Sequence, residues 1–139
     1  MSKSGIEKNI FKAYDIRGIV GESLDAFSVE LIGRSIGSEA VSQKQQTICV
    51  GYDGRLSSPE LCEALIKGLL STGIKVIDIG LVTTPMLYFS THFIATHSGV
   101  MITGSHNPPN YNGFKMMIAG ETISSNQIQS LYERIINQR

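Results

Sequence analysis

The sequence predicts an α/β fold, three layers deep, with a mixed and mostly parallel sheet carrying helices on both faces. Three observations support this. Short apolar runs at 47–52, 74–79 and 98–102 have the length of buried strands. Segments of helical period alternate with them. Serine, threonine or aspartate opens each helical segment, and Gly73 closes one of them.

In chain order, 11–20 mixes aromatic and β-branched residues with Asp15, Arg17 and Gly18, which suits an interrupted edge strand. Residues 25–41 carry Val29, Ile32, Ile36 and Ala40 on one helical face, with Asp25 as N-cap. Gly33 and Gly37, four apart, predict a close approach of this helix to the sheet. Residues 47–52 form a buried strand and Asp53-Gly54 turns the chain. Ser58-Pro59-Glu60 opens the next helix, with Ser58 as cap. Leu61, Leu65, Ile66 and Leu69 give it an apolar face, and 71–73 end it. A second buried strand follows at 74–79. Thr83-Thr84-Pro85 starts another helix, and 98–102 make a third buried strand. A fourth strand is expected at 114–118. Ser124 or Ser125 caps a last helix through Ile128, Leu131 and Ile135.

The 139 residues suffice for one domain, expected to span 1–139. Hydrophobic residues are 42% and charged residues 17% of the chain, as in soluble globular proteins. Net charge is zero without runs of one sign, which argues against nucleic-acid binding through a basic surface. No segment reaches the length of a membrane span, so no membrane partner is expected. Cys49 lies in an apolar run and Cys62 in a helical pattern, without metal-like spacing. They read as reduced, buried thiols of a cytoplasmic protein.

Three polar clusters exceed what packing requires. The run from Thr103 to Lys115 follows a buried strand and shows no hydrophobic period. Its prolines and glycines imply a shaped loop. The residues alone suit a functional loop and a surface turn with Asx-type hydrogen bonds equally. In Tyr14-Asp15-Ile16-Arg17-Gly18, the arginine could meet an oxyanion, but a surface pair between Asp15 and Arg17 is the simpler reading. Residues 53–58 could expose helix amides to an anion, yet turn and cap chemistry explains every residue there. Ser105 could be a nucleophile if other parts of the fold activate it. His92 and His97 read as structural or surface histidines. No Walker-type loop or Gly-x-Gly-x-x-Gly supports a nucleotide site, and no carboxylate cluster supports a complete metal site.

Thr-Gly-Ser-His-Asn-Pro at 103–108 resembles the phosphoserine loop of the α-D-phosphohexomutases. Its continuation at 109–115 fits the bacterial phosphomannomutase/phosphoglucomutase branch, and Phe11-Lys12-Ala13-Tyr14-Asp15-Ile16-Arg17-Gly18 resembles that branch's N-terminal signature. Gly51-Tyr52-Asp53-Gly54-Arg55-Leu56-Ser57-Ser58 resembles a third shared segment. The resemblance covers nearly the whole chain. It implies the first domain of a four-domain phosphoglucomutase-type fold. It also implies phosphoryl transfer between the 1- and 6-positions of a hexose phosphate, mannose or glucose. A phosphoserine and a hexose 1,6-bisphosphate intermediate would carry that transfer.

On that resemblance, Ser105 accepts and donates the phosphoryl group. Lys115 acts beside it as acid/base or cation, and Arg17 supports the same step. Tyr14 lies beside the site, and His106 and Asn107 contact phosphate or hold the loop. Mg²⁺ would be bound by Ser105 through its phosphate. The remaining ligands belong to an Asp-Gly-Asp-Gly-Asp-type loop in a later domain, and no such loop occurs in these residues. The chain by itself is therefore expected to lack useful mutase activity. The missing domains would be supplied in cis or in trans. The alternatives are a subunit of a split mutase and a non-catalytic phosphosugar-binding module.

Overall fold

The computed structural model describes residues 6–93, 96–104 and 107–137, without the side chains of residues 88, 89, 92 and 93. The expectations for Ser105, His106 and the His92 side chain therefore lie outside the described residues. Six strands form one sheet: β1 (Ile16–Ile19), β2 (Thr47–Tyr52), β3 (Lys75–Leu81), β4 (Gly99–Ile102), β5 (Tyr111–Ile118) and β6 (Glu121–Thr122). Four α-helices accompany them: α1 (Ala26–Ser42), α2 (Ser58–Leu70), α3 (Thr84–Phe93) and α4 (Ser125–Ile136). A short 3₁₀ turn, Lys8–Ile10, precedes β1.

The strand order is β1-β5-β4-β2-β3, with β6 also on β5. β2 pairs in parallel with β3 and β4, while β5 is antiparallel to β1, β4 and β6. One strand thus runs against the rest, which makes the sheet mixed. β1 is an edge strand, as its interrupted pattern predicts.

The two faces divide by strand alternation. Ile48, Val50, Val100, Ile102, Phe114, Met116 and Ile118 point to one side, where α1, α2 and α4 cover them in the main core. Cys49 and Met101 point to the other, against Leu87 of α3. α3 packs over β2 and β4 and reaches β5 at Met117, whose sulfur accepts from the Thr91 hydroxyl at 3.5 Å.

The capping chemistry explains most helix starts. The Asp25 carboxylate accepts from the Ser28 amide at 2.8 Å, and the Ser28 hydroxyl accepts from the Asp25 amide at 2.9 Å, closing a capping box. Thr83 Oγ1 accepts from the Met86 amide at the start of α3. At α4 the Ser124 amide donates to Gln127 Oε1.

Three expectations need correction. Strand β3 is not buried: it forms the edge of the parallel run, and its residues are half-buried or exposed. Ser58 does not cap α2. Ser57 holds that position, and the Ser58 hydroxyl is used elsewhere. Gly33 serves a helix–helix contact, not a helix–sheet one. A Cβ there would overlap the Leu65 carbonyl oxygen of α2, and one on Gly68 would overlap the Glu30 carbonyl oxygen of α1. Gly37 faces the Thr72 side chain. Two bare glycines therefore let α1 and α2 touch backbone to backbone. Backbone atoms cannot swing aside, so Gly68→Ala is expected to cost about 1–3 kcal/mol in urea unfolding.

Both cysteines are free and buried. Burial, with the nearby Asp78 charge, pushes the Cys62 thiol up to about 12, so it stays protonated at neutral pH. Among the described residues no helix is long and apolar enough to cross a membrane.

Candidate active site

The polar 103–110 segment leaves the end of β4 and returns as β5, next to the end of β2. The backbone ladder continues a step past the strands: the Asp53 amide donates to Ile102 O and the Thr103 amide to Gly113 O, both at 2.9 Å. Inside the loop the Asn107 amide and Nδ2 both donate to Gly104 O, and the Tyr111 amide donates to Pro108 O. The Val20 amide ties the loop to the end of β1 through Asn110 O at 2.8 Å.

Asp53 and Arg55 reach this loop from the turn after β2. Asp53 Oδ2 accepts from the Gly104 amide at 3.1 Å, and Oδ1 accepts from the Ser58 hydroxyl at 2.8 Å and the Arg55 amide at 3.2 Å. Arg55 Nη1 donates to Pro108 O at 2.6 Å and Tyr111 O at 3.2 Å, while Nη2 donates to Asn107 O at 2.7 Å. Nε of Arg55 lies 3.4 Å from Asp53 Oδ2. Beneath them, fully buried Asn112 donates to the Ser57 and Ser58 hydroxyls at 2.9 and 3.0 Å.

Burial alone would raise the Asp53 pKa. Hydrogen bonds from Ser58, Thr103 and the amides of Arg55 and Gly104 outweigh it and hold the carboxyl below its usual 3.8. A depressed folded pKa stabilises above the unfolded value and loses that contribution as pH falls through the folded one. Asp53→Asn turns a donor toward donors, and a cost of about 1–3 kcal/mol is expected at neutral pH. That gap between wild type and variant should close as pH drops below 3.8, which denaturation series at stepped pH will read.

Arg17 and Lys115 lie on the same face of the sheet. Arg17 pairs with Gly113 in the β1–β5 register, and Lys115 lies two residues further along β5, hence on the same face. A Cβ on Gly113 would overlap the Ile16 carbonyl oxygen, so glycine keeps β1 close at this point. Arg17 Nε stands 3.6 Å from Asp15 Oδ1 and has no hydrogen-bond partner among the described residues. The Asp15–Arg17 pair expected as surface chemistry therefore exists, but Asp15 is buried and the pair lies at the root of the loop. Tyr14, ahead of β1, is 76% exposed. The Asn107 side-chain nitrogen is committed to the loop turn, which fits holding the loop's shape.

The structure thus places Arg17 and Lys115 on one sheet face, next to the segment 103–110. Asp53, Arg55 and Asn112 were missed as site residues. Residues 53–58 do have structural tasks, but the partners of Asp53 and Arg55 lie some fifty residues away. The signals were two opposite charges directly after a buried strand and the resemblance of 51–58 to a shared family segment.

Together, the mixed sheet, the helix layers and this loop define an α/β/α domain with its polar site at the strand ends. The phosphoglucomutase/phosphomannomutase alpha/beta/alpha domain I matches residues 8–139, and the chain belongs to that family. It is 54% identical over 127 residues to the phosphomannomutase/phosphoglucomutase of Pseudomonas aeruginosa, covering 91% of this chain and 27% of the relative. It is 53% identical over 128 residues to the phosphoglucomutase of Neisseria gonorrhoeae, covering 92% and 28%. A phosphoglucomutase/phosphomannomutase family protein of Burkholderia thailandensis superposes with a TM-score of 0.92 at 47% identity, over 96% of this chain and 31% of that one. The chain spans about a quarter of the length of the curated relatives it matches.

Among the described residues no three His, Cys, Asp or Glu side chains cluster as metal ligands. Both oxygens of Asp53 already accept hydrogen bonds. The described residues therefore offer Mg²⁺ no cluster of carboxylate, imidazole or thiol ligands of their own.

Proposed function

We propose that residues 1–139 are the phosphoserine-bearing first domain of a cytoplasmic phosphomannomutase/phosphoglucomutase, acting on mannose or glucose phosphates. The observation that carries the reading is Arg17 and Lys115 on one sheet face, beside a loop whose Gly104, Asn107, Pro108 and Tyr111 are held by Asp53 and Arg55.

In the proposed step the sugar hydroxyl oxygen bonds to phosphorus as the phosphorus–Ser105 Oγ bond breaks. The hydroxyl proton passes by way of Lys115 to the serine oxygen that leaves. Arg17 offsets charge on the transferring group. Transfer in the reverse sense from the other phosphate of the hexose 1,6-bisphosphate restores phosphoserine. His106 and Asn107 shape the loop, and Tyr14 flanks the entrance.

Mg²⁺ would be held through the Ser105 phosphate with ligands from a segment outside these residues. Exposed Leu56, Leu81 and Met86 support such an added segment. Leu56 follows β2 and Leu81 ends β3, at the same strand ends as the loop, and Met86 lies in the first turn of α3. Apolar side chains left bare at a site edge suit coverage by further protein.

The test is a coupled mutase assay on the 139-residue chain, alone and with a chain carrying the acidic loop and later domains. Turnover only in the mixture, or in a fusion of the two, supports the reading. Turnover by the isolated chain at the rate of a full-length family enzyme sinks the claim that the site is incomplete. Absence of turnover in every combination sinks the mutase assignment.

A further inference from the structure

We propose that Asp53 and Arg55 are positioning residues for phosphoryl transfer, clamping both flanks of position 105 in one shape; this rests on the function proposed above. On one flank, Asp53 accepts from the Gly104 amide at 3.1 Å. On the other, the Arg55 guanidinium donates to the carbonyls of Asn107, Pro108 and Tyr111. The Asp53–Arg55 pair, 3.4 Å apart, closes the clamp. Its base is fixed as well. Ser58 donates to Asp53, and buried Asn112 donates to Ser58.

The residue types follow from this geometry. Three carbonyls spread over five residues need several donors held in a plane, which guanidinium supplies and ammonium does not. The Arg55 side chain is only 15% exposed, so solvent competes little for those bonds. Gly104 completes the fit. A Cβ there would overlap Cζ and Nε of Arg55. The guanidinium would have to leave the carbonyls to make room. Gly104 therefore lets the clamp lie flat against the loop.

Phosphoryl transfer relies on in-line alignment more than on covalent chemistry supplied by the protein. Among the described residues the clamp's bonds to the loop go to backbone amides and carbonyls. It acts through where it holds the flanks, so it should govern turnover rather than substrate affinity.

The test compares wild type, Arg55→Lys, Gly104→Ala, Arg55→Ala and the Arg55→Ala/Gly104→Ala double variant by two measurements. The first is amide hydrogen exchange of Gly104, Asn107 and Tyr111 in the 139-residue chain. The second is kcat and KM for a hexose phosphate once the later domains are supplied. Arg55→Lys should speed exchange at the three amides about tenfold or more while Ile48–Val50 keep their protection. It should lower kcat about 10–100-fold with KM within about twofold. Gly104→Ala should do the same alone and add little to Arg55→Ala.

Unchanged exchange at the three amides in Arg55→Lys overturns the clamp. So does a loosened loop with undiminished kcat, or a loss confined to KM. If Gly104→Ala fails to fold, Arg55→Lys still decides. If the completed wild type shows no turnover, the mutase reading fails, and the exchange measurement alone judges the clamp.

Discussion

Ser105→Ala is expected to abolish turnover of the completed enzyme, lowering kcat by at least about four powers of ten. On the proposed function the phosphoserine is the obligatory carrier, so no neighbouring group can substitute for its oxygen. Intact-mass measurement should find phosphate on the wild type after incubation with hexose 1,6-bisphosphate and none on the variant. Lys115→Ala and Arg17→Ala should fall short of this, at about 10²–10⁴-fold, because each assists transfer without holding the phosphoryl group. A Ser105→Ala enzyme within tenfold of wild type would end the phosphoserine reading.

Phe114→Ala is expected to destabilise the fold by about 3–5 kcal/mol, a large part of the ~5–15 kcal/mol typical of a domain. Phe114 is fully buried and lies between Ile16 of β1 and Ile102 of β4 in the register. It is the core anchor of the one strand that runs against the others. Removing the ring leaves a cavity where both neighbouring strands meet β5. Gly113 and Lys115 flank Phe114 on the opposite face, so loosening this strand also disturbs the site. Urea unfolding should show the loss, and a midpoint close to wild type would refute it. The two predictions are read by different measurements, turnover and intact mass for the first and urea unfolding for the second.

Most of the fold was legible because it rests on local signals. Strand β2 begins and ends where its apolar run predicts, and Asp25 caps α1 through a nearby serine. The misreadings share a cause. The apolar run at β3 looked buried, but whether a strand lies centrally or at an edge depends on which strands flank it. Ser58 looked like a cap, but the Asp53 carboxylate stood within reach of its hydroxyl. Gly33 looked like a sheet contact, while its partner was another glycine-bearing helix.

The site divides the same way. Order along the chain was enough to single out the 103–115 run, Arg17 and Lys115, because their residue types and their resemblance to a family motif need no coordinates. Only the tertiary structure could show Arg17 crossing Gly113 to stand on the same face as Lys115, since strand register is a long-range property. Only it could give Asp53 and Arg55 their partners. A carboxylate and a guanidinium in a turn can satisfy themselves locally. Here the fold brings a second loop close enough for its amides and carbonyls to take those bonds instead.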